Sequence, residues 1–165
     1  MADHGRTDMA TRLIDAPAER LYRAFLDREA LEIWLPPQGM SGEVMVLEPR
    51  VGGSFRMALR YDDPAAAGQG KTTADTDVVE TEYTELDPGE RVVHRVRFES
   101  ADPAFAGDMI MTWRLDPQPG GTKVTFLAEN VPEGIGQADH EQGLQSSLDN
   151  LAAYVERLQG TAASR

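Results

Sequence analysis

Apolar positions along this chain recur at helical spacing up to Trp34, alternate between about Gly42 and Glu129, and return to helical spacing after Asp139. Met9 to Ile14 alternates loosely and reads as a strand. Beyond Asp15-Ala-Pro17, the residues Leu21, Tyr22, Phe25 and Leu26 fall on one helical stripe. Pro17 suits the first helical turn, where its missing N–H is not needed and its fixed φ is already helical. A second short helix is predicted over Arg28 to Trp34, because Leu31, Trp34 and Leu35 share a stripe that Pro36-Pro37 ends. The period then falls to two, and six strands are predicted near residues 42–48, 54–61, 75–86, 91–99, 108–116 and 122–129. Gly52-Gly53, Asp87-Pro88-Gly89 and Pro119-Gly120-Gly121 supply turns, while Asp62 to Gly70 and Ser100 to Gly107 read as longer loops, the first of them mobile around Pro64 to Gly70.

The strand faces separate cleanly. Phe55, Met57, Leu59 and Tyr61 share one side, as do His94, Val96 and Phe98, then Met109, Met111, Trp113 and Leu115, then Val124, Phe126 and Ala128. The opposite side carries Arg56, Arg60, Arg95, Arg97, Arg114, Thr112, Lys123, Thr125 and Glu129 and is built to meet water. An antiparallel sheet with one apolar face needs a cover. The last element provides it: over about Asp139 to Leu158, the residues Leu144, Leu148, Leu151, Val155 and Leu158 repeat at three and four. Asp139 followed by Gln142 resembles a capping box, with Gly136 as the alternative cap. The element order predicts one α+β domain over residues 8–158, with flexible tails at 1–7 and 159–165.

Composition narrows the partners. A chain of 165 residues, 41% of them apolar, can bury one core but hardly two. Its 16 Lys+Arg against 28 Asp+Glu leave a net charge of −12, which repels phosphate backbones and anionic headgroups, so neither nucleic acid nor a membrane is expected as partner. With no cysteine there is no disulfide, thiol nucleophile or thiolate metal site, and a reducing cytoplasm fits best. No run approaches the roughly twenty apolar residues of a membrane helix, and Met-Ala-Asp-His-Gly-Arg at the start is no signal peptide; a soluble protein is expected.

Several segments together carry a family resemblance: Asp15-Ala-Pro17, Trp34-Leu-Pro-Pro37, the run from Arg50-Val-Gly-Gly-Ser-Phe to Met57, Gly89-Glu-Arg-Val-Val93, and Asp149-Asn-Leu-Ala-Ala-Tyr154. In these the chain resembles the START-like (SRPBCC) superfamily, and within it the bacterial branch related to the activator of the heat-shock-protein ATPase, the Aha-type proteins. The resemblance spans Thr11 to Arg157 and implies a helix-grip fold: a curved seven-stranded antiparallel sheet wrapped around a long C-terminal helix, with a cavity between them. It also implies a place in the stress response. It does not imply one activity, since the superfamily includes lipid carriers, cyclases, oxygenase subunits and co-chaperones. Many relatives carry a Gly-Trp pair early in the last helix where this chain has Gly143-Leu144, a swap that enlarges or reshapes the cavity.

Within that frame, His94 is the sharpest chemical candidate, placed in register with Val96 and Phe98 on the inner face. It could orient a ligand or act as a base, or simply bond a neighbouring strand or Tyr83 and pack. His140, four residues before Leu144, either looks into the cavity mouth or lies on the surface. Trp34, Phe55, Met57, Tyr83, Met109, Met111, Trp113 and Phe126 form the aromatic and methionine set of a lipophilic pocket, or an ordinary core. Asp62, Asp63, Asp75 and Asp77 fit no Ca²⁺ loop and read as a solvated turn. The arginines of the outer face read as cross-strand ion pairs. Two distant histidines without further ligands make no metal site, and no nucleophile elbow or zinc motif is present, so neither cofactor nor metal is expected.

The residues therefore predict a binding protein rather than an enzyme, holding a lipophilic or aromatic small molecule between sheet and last helix. The expected contacts are Trp34, Phe55, Met57, Tyr83, His94, Val96, Phe98, Met109, Met111, Trp113, Phe126, His140 and Leu144. A regulatory module acting on a chaperone or ATPase is the second reading. A cyclase or hydrolase pairing His94 with a carboxylate such as Glu85 is the third.

Overall fold

A computed structural model describes residues 6–37, 39–63 and 76–163, with side chains of the last helix up to Arg157. The elements follow the order β1 (Arg6–Ile14), α1 (Ala18–Ala24), α2 (Arg28–Trp34), β2 (Met40–Leu47), β3 (Ser54–Tyr61), β4 (Thr76–Asp87), β5 (Arg91–Phe98), β6 (Met109–Gln118), β7 (Gly121–Val131) and α3 (Gln137–Ala163). A short 3-10 turn, Pro103–Phe105, interrupts the loop before β6. Strands β2 to β7 form a meander, and β1 adds beside β7, so the seven-stranded antiparallel sheet runs β1-β7-β6-β5-β4-β3-β2. Because β1 and β2 are its opposite edges, α1 and α2 carry the chain from one edge to the other. Register shifts at Arg6/Asp8, Val44/Val46 and Tyr83/Glu85 add curvature.

The sheet closes on α3, which at about 1.5 Å rise per residue is long enough to cross all of it. Leu148, Leu151 and Val155 are fully buried and Leu144 nearly so, which matches the predicted stripe; Leu158 lies outside the described side chains. This is the helix-grip arrangement. Where α1 and α2 pack on the sheet, the core contains an aromatic cluster: Phe25, Trp34, Trp113 and Phe126 pack with ring centroids 4.6–6.4 Å apart. The Trp34 indole N–H donates to the Ala24 carbonyl at 2.9 Å and fixes α2 on α1.

Several element boundaries differ from those predicted. Pro17 stands one residue before α1, with ψ at 147°, so its carbonyl accepts from Arg20 and Leu21 while its own backbone stays extended. The last helix begins at Gln137 because the Gly136 carbonyl accepts from the His140 N–H at 2.9 Å, so Asp139 lies inside the first turn rather than capping it. It also continues to Ala163, and β1 begins at Arg6 rather than near Met9. Residues 1–5, 164–165, Asp75 and the Pro64–Gly70 loop lie outside the described residues. No helix among the described residues is long and apolar enough to cross a membrane.

Candidate ligand-binding site

The sheet and α3 do not meet everywhere. Between them lies a cavity of about 250 Å³, walled by β3 to β6, by the first turns of α3 and by the Leu35–Pro37 segment that follows α2. Alternation on a curved sheet makes this wall: inward residues on successive strands line up across the ladder and converge below the helix. Phe55 and Met57 come from β3. His94, Val96 and Phe98 come from β5, and Met109, Met111 and Trp113 from β6. His140 and Leu144 close it from α3. The α3 residues Ser147 and Asn150 hold the proline segment in place, donating to the carbonyls of Leu35 at 2.6 Å and Pro36 at 2.9 Å. Pro37, Met40, Tyr61, Ile135, Asp139 and Gly143 belong both to the cavity and to a surface groove beside α3, and so form its mouth. Other concavities, such as those around Arg20 and Arg23 or around Arg95 and Arg97, are surface grooves with charged rims.

Three of the predicted contacts are not on this wall. Trp34 and Phe126 belong to the closed aromatic cluster, and Trp113 is the partition between that cluster and the cavity. Tyr83 is fully buried behind Phe55, with which it stacks at 6.2 Å, and beside His94 at 6.0 Å. Burial, with Tyr22 nearby, pushes its hydroxyl pKa up from the ordinary tyrosine value. The inward phase is right for all three residues, on helix α2 as on strands β4 and β7, but phase alone does not distinguish a wall from the packing behind it.

The polar atoms at the cavity floor are unusual. Neither ring nitrogen of His94 has a hydrogen-bond partner among the described residues, and the same holds for Thr81 Oγ1, Trp113 Nε1 and Tyr83 Oη. His94 thus does not bond Tyr83 or a neighbouring strand, the packed role considered for it. It sits edge-on to Trp113 with centroids 4.7 Å apart. Desolvation lowers its pKa to about 3, so the imidazole is neutral at physiological pH and offers one donor and one acceptor. Glu85 does not serve it: beyond the Tyr83/Glu85 bulge this carboxylate pairs with Arg91 at a half-exposed position. A ring so hard to protonate and without a carboxylate to orient it is a poor general base.

His140 has the carboxylate that His94 lacks. Its Nδ1 lies 2.7 Å from Asp8 Oδ2, and the Asp8 side chain is fully buried. Arg6 Nε and Nη2 donate to the same carboxylate at 2.7 and 2.8 Å, and Nη2 also to the Ile135 carbonyl at 2.6 Å. Burial would raise the Asp8 pKa, but the hydrogen bonds from Arg6 and His140 outweigh it and hold the carboxyl below its ordinary value. This clamp fastens the start of α3 to the edge strand β1 at the cavity's end. Arg6 and Asp8 carried no signal in the sequence beyond opposite charge two residues apart, because their partners lie more than a hundred positions away.

Elsewhere the expected cross-strand pairing holds for Arg56, Arg95 and Arg97, while Arg114 meets Asp116 on its own strand. On the outer face Arg56 meets Glu99 at 2.6 Å, Arg95 meets Glu82 at 2.6 Å and Arg97 meets Asp108 at 2.8 Å. Asp62 accepts from the Ser41 hydroxyl, while Asp77 is buried rather than solvated. Among the described residues no group of three or more His, Asp or Glu side chains is placed to hold a metal ion.

Comparison with known proteins accords with this architecture. A search of curated proteins finds no match. Among solved structures, a Chromobacterium violaceum protein is 37% identical with a TM-score of 0.80, over 91% of this chain and 96% of its own. A Rhodobacter sphaeroides protein shares the fold at 20% identity and TM-score 0.75, over 93% and 95% of the two chains. An AHSA1-like protein from Aeromonas hydrophila does so at 17% and 0.68, over 93% and 94%. The family described as Activator of Hsp90 ATPase homolog 1-like protein matches residues 15–156, and this chain belongs to it.

Proposed function

We propose that this protein binds a small lipophilic or aromatic molecule in the cavity between the sheet and α3, within a cytoplasmic setting. One observation carries this: an apolar space of about 250 Å³ beside a buried histidine with neither nitrogen paired. Apolar burial supplies the affinity, and His94 sets the orientation. An engineered apolar cavity of about 150 Å³ accepts benzene, so the space here suits one or two rings rather than a long acyl chain. Thermal unfolding in the presence of a panel of small aromatics tests the proposal. A binder at a hundred times its Kd adds about 2.7 kcal/mol; no upward shift with any member overturns it.

A regulatory module acting on a chaperone or other ATPase is the alternative, favoured by the family description and the net charge of −12. Its acidic docking surface is weakened by the pairing of Glu82, Glu99 and Asp108 with arginines. Affinity capture of one ATPase partner, lost in moderate salt, would favour this alternative.

A further inference from the structure

We infer that the cavity selects an uncharged ligand of one or two rings bearing a hydroxyl or carbonyl oxygen, seated against Thr81, His94 and Trp113. This rests on the reading that the cavity binds a small molecule, and adds the ligand's charge and polar group. The three residues come from adjacent strands β4, β5 and β6, line the cavity, and are at least 95% buried, at 5%, 3% and 1% exposure. His94 lies opposite Tyr83 on one side and Met111 on the other, while Thr81 lies opposite Val96, so Thr81, His94 and Trp113 are diagonal neighbours across the ladder. Their unpaired atoms are a hydroxyl, an imidazole and an indole N–H. A neutral imidazole has one donor and one acceptor, the indole only a donor, and the hydroxyl can do either. Donors therefore predominate, and a single ligand oxygen, accepting twice and donating once if it is a hydroxyl, answers most of them.

Charge is disfavoured on the same grounds. No lysine or arginine lines the cavity. An anion would be desolvated there without a counter-charge, which is far more costly than burying a neutral oxygen. Burial keeps His94 from supplying that charge, and His140 is engaged by Asp8. A cation fares no better, since it too would be desolvated without a counter-charge: Asp139 stands at the mouth rather than beside this trio.

The test uses the full chain and four probes of one shape: naphthalene, 2-naphthol, 2-naphthoate and 2-naphthylmethylammonium, titrated at pH 7 by NMR with the His94 ring nitrogens observed. We expect 2-naphthol to bind at least tenfold more tightly than naphthalene and a hundredfold more tightly than either ion, shifting the His94 ring signals as naphthalene does not. In His94→Phe, 2-naphthol should weaken to the affinity of naphthalene. Should that variant not fold, the wild-type ring signals still decide. Equal affinity for naphthalene and 2-naphthol, or tighter binding of either ion, overturns this inference but leaves the cavity reading standing. Failure of all four probes to bind overturns both.

Discussion

His94 couples the interior to pH. Its ring titrates near 6.5 when unfolded and at about 3 in the fold, so between these values the unfolded chain binds a proton that the native state does not. Stability contributed by the neutral ring is therefore complete above about pH 6.5 and declines as pH falls, by at most about 1.4 kcal/mol per pH unit. Asp8 acts with the same sign lower down: its depressed pKa adds stability above the ordinary carboxyl value of 3.8 that is lost as pH falls further. Urea unfolding at pH 4.5 to 7.5 should show a steep slope for the wild type and a flatter one for His94→Phe. Parallel curves would mean that the native ring is protonated like the unfolded one, contrary to its burial. The sequence placed His94 on the inner face correctly; its missing partners were not legible, because hydrogen bonds across a sheet depend on the rotamers of neighbours on other strands.

At the scale of elements, two joints hold the molecule where local propensity does not. The Arg6–Asp8–His140 clamp is one, since it fixes the first turn of α3 to an edge strand. Asp8→Ala should lower the unfolding free energy by about 1–3 kcal/mol, since Arg6 and His140 both lose a buried acceptor. Amide exchange at the start of α3 should accelerate more than at Leu148 to Val155. Equal acceleration along the helix would show global destabilisation rather than a joint. The β6–β7 turn is the other joint. Gly121 has φ at +142°, and a Cβ there would collide with the Ile14 carbonyl oxygen. Gly121→Ala should therefore cost about 1–3 kcal/mol in denaturant unfolding, whereas a cost under half a kcal/mol would mean that β1 moves freely aside. The Pro-Gly-Gly run announced this turn, but it could not announce that β1 ends against it.

For the molecule as a whole, the proposed binding turns on the gap between two layers, the sheet and α3. Leu144 is 6% exposed and lines that gap from the helix, so a larger side chain there can occupy the space without cutting the stripe. Leu144→Trp should fold with a melting temperature close to that of the wild type while losing binding of small aromatics. Retained affinity in a folded variant would place the ligand elsewhere.

By itself the sequence determined the element order, the inward and outward faces of the strands, and the helix that covers them. These follow from the spacing of apolar residues, a property local to each segment. Only the tertiary structure decided that Trp34 and Phe126 close a solid cluster while Met57, Val96 and Met111 face a space, that Tyr83 lies behind the wall, and that Asp8 meets His140 across 132 positions. Those outcomes depend on how far bulges bend the sheet and where α3 settles on it. Distances between remote segments are set by the packing of all the layers at once, and no periodicity within one segment encodes them.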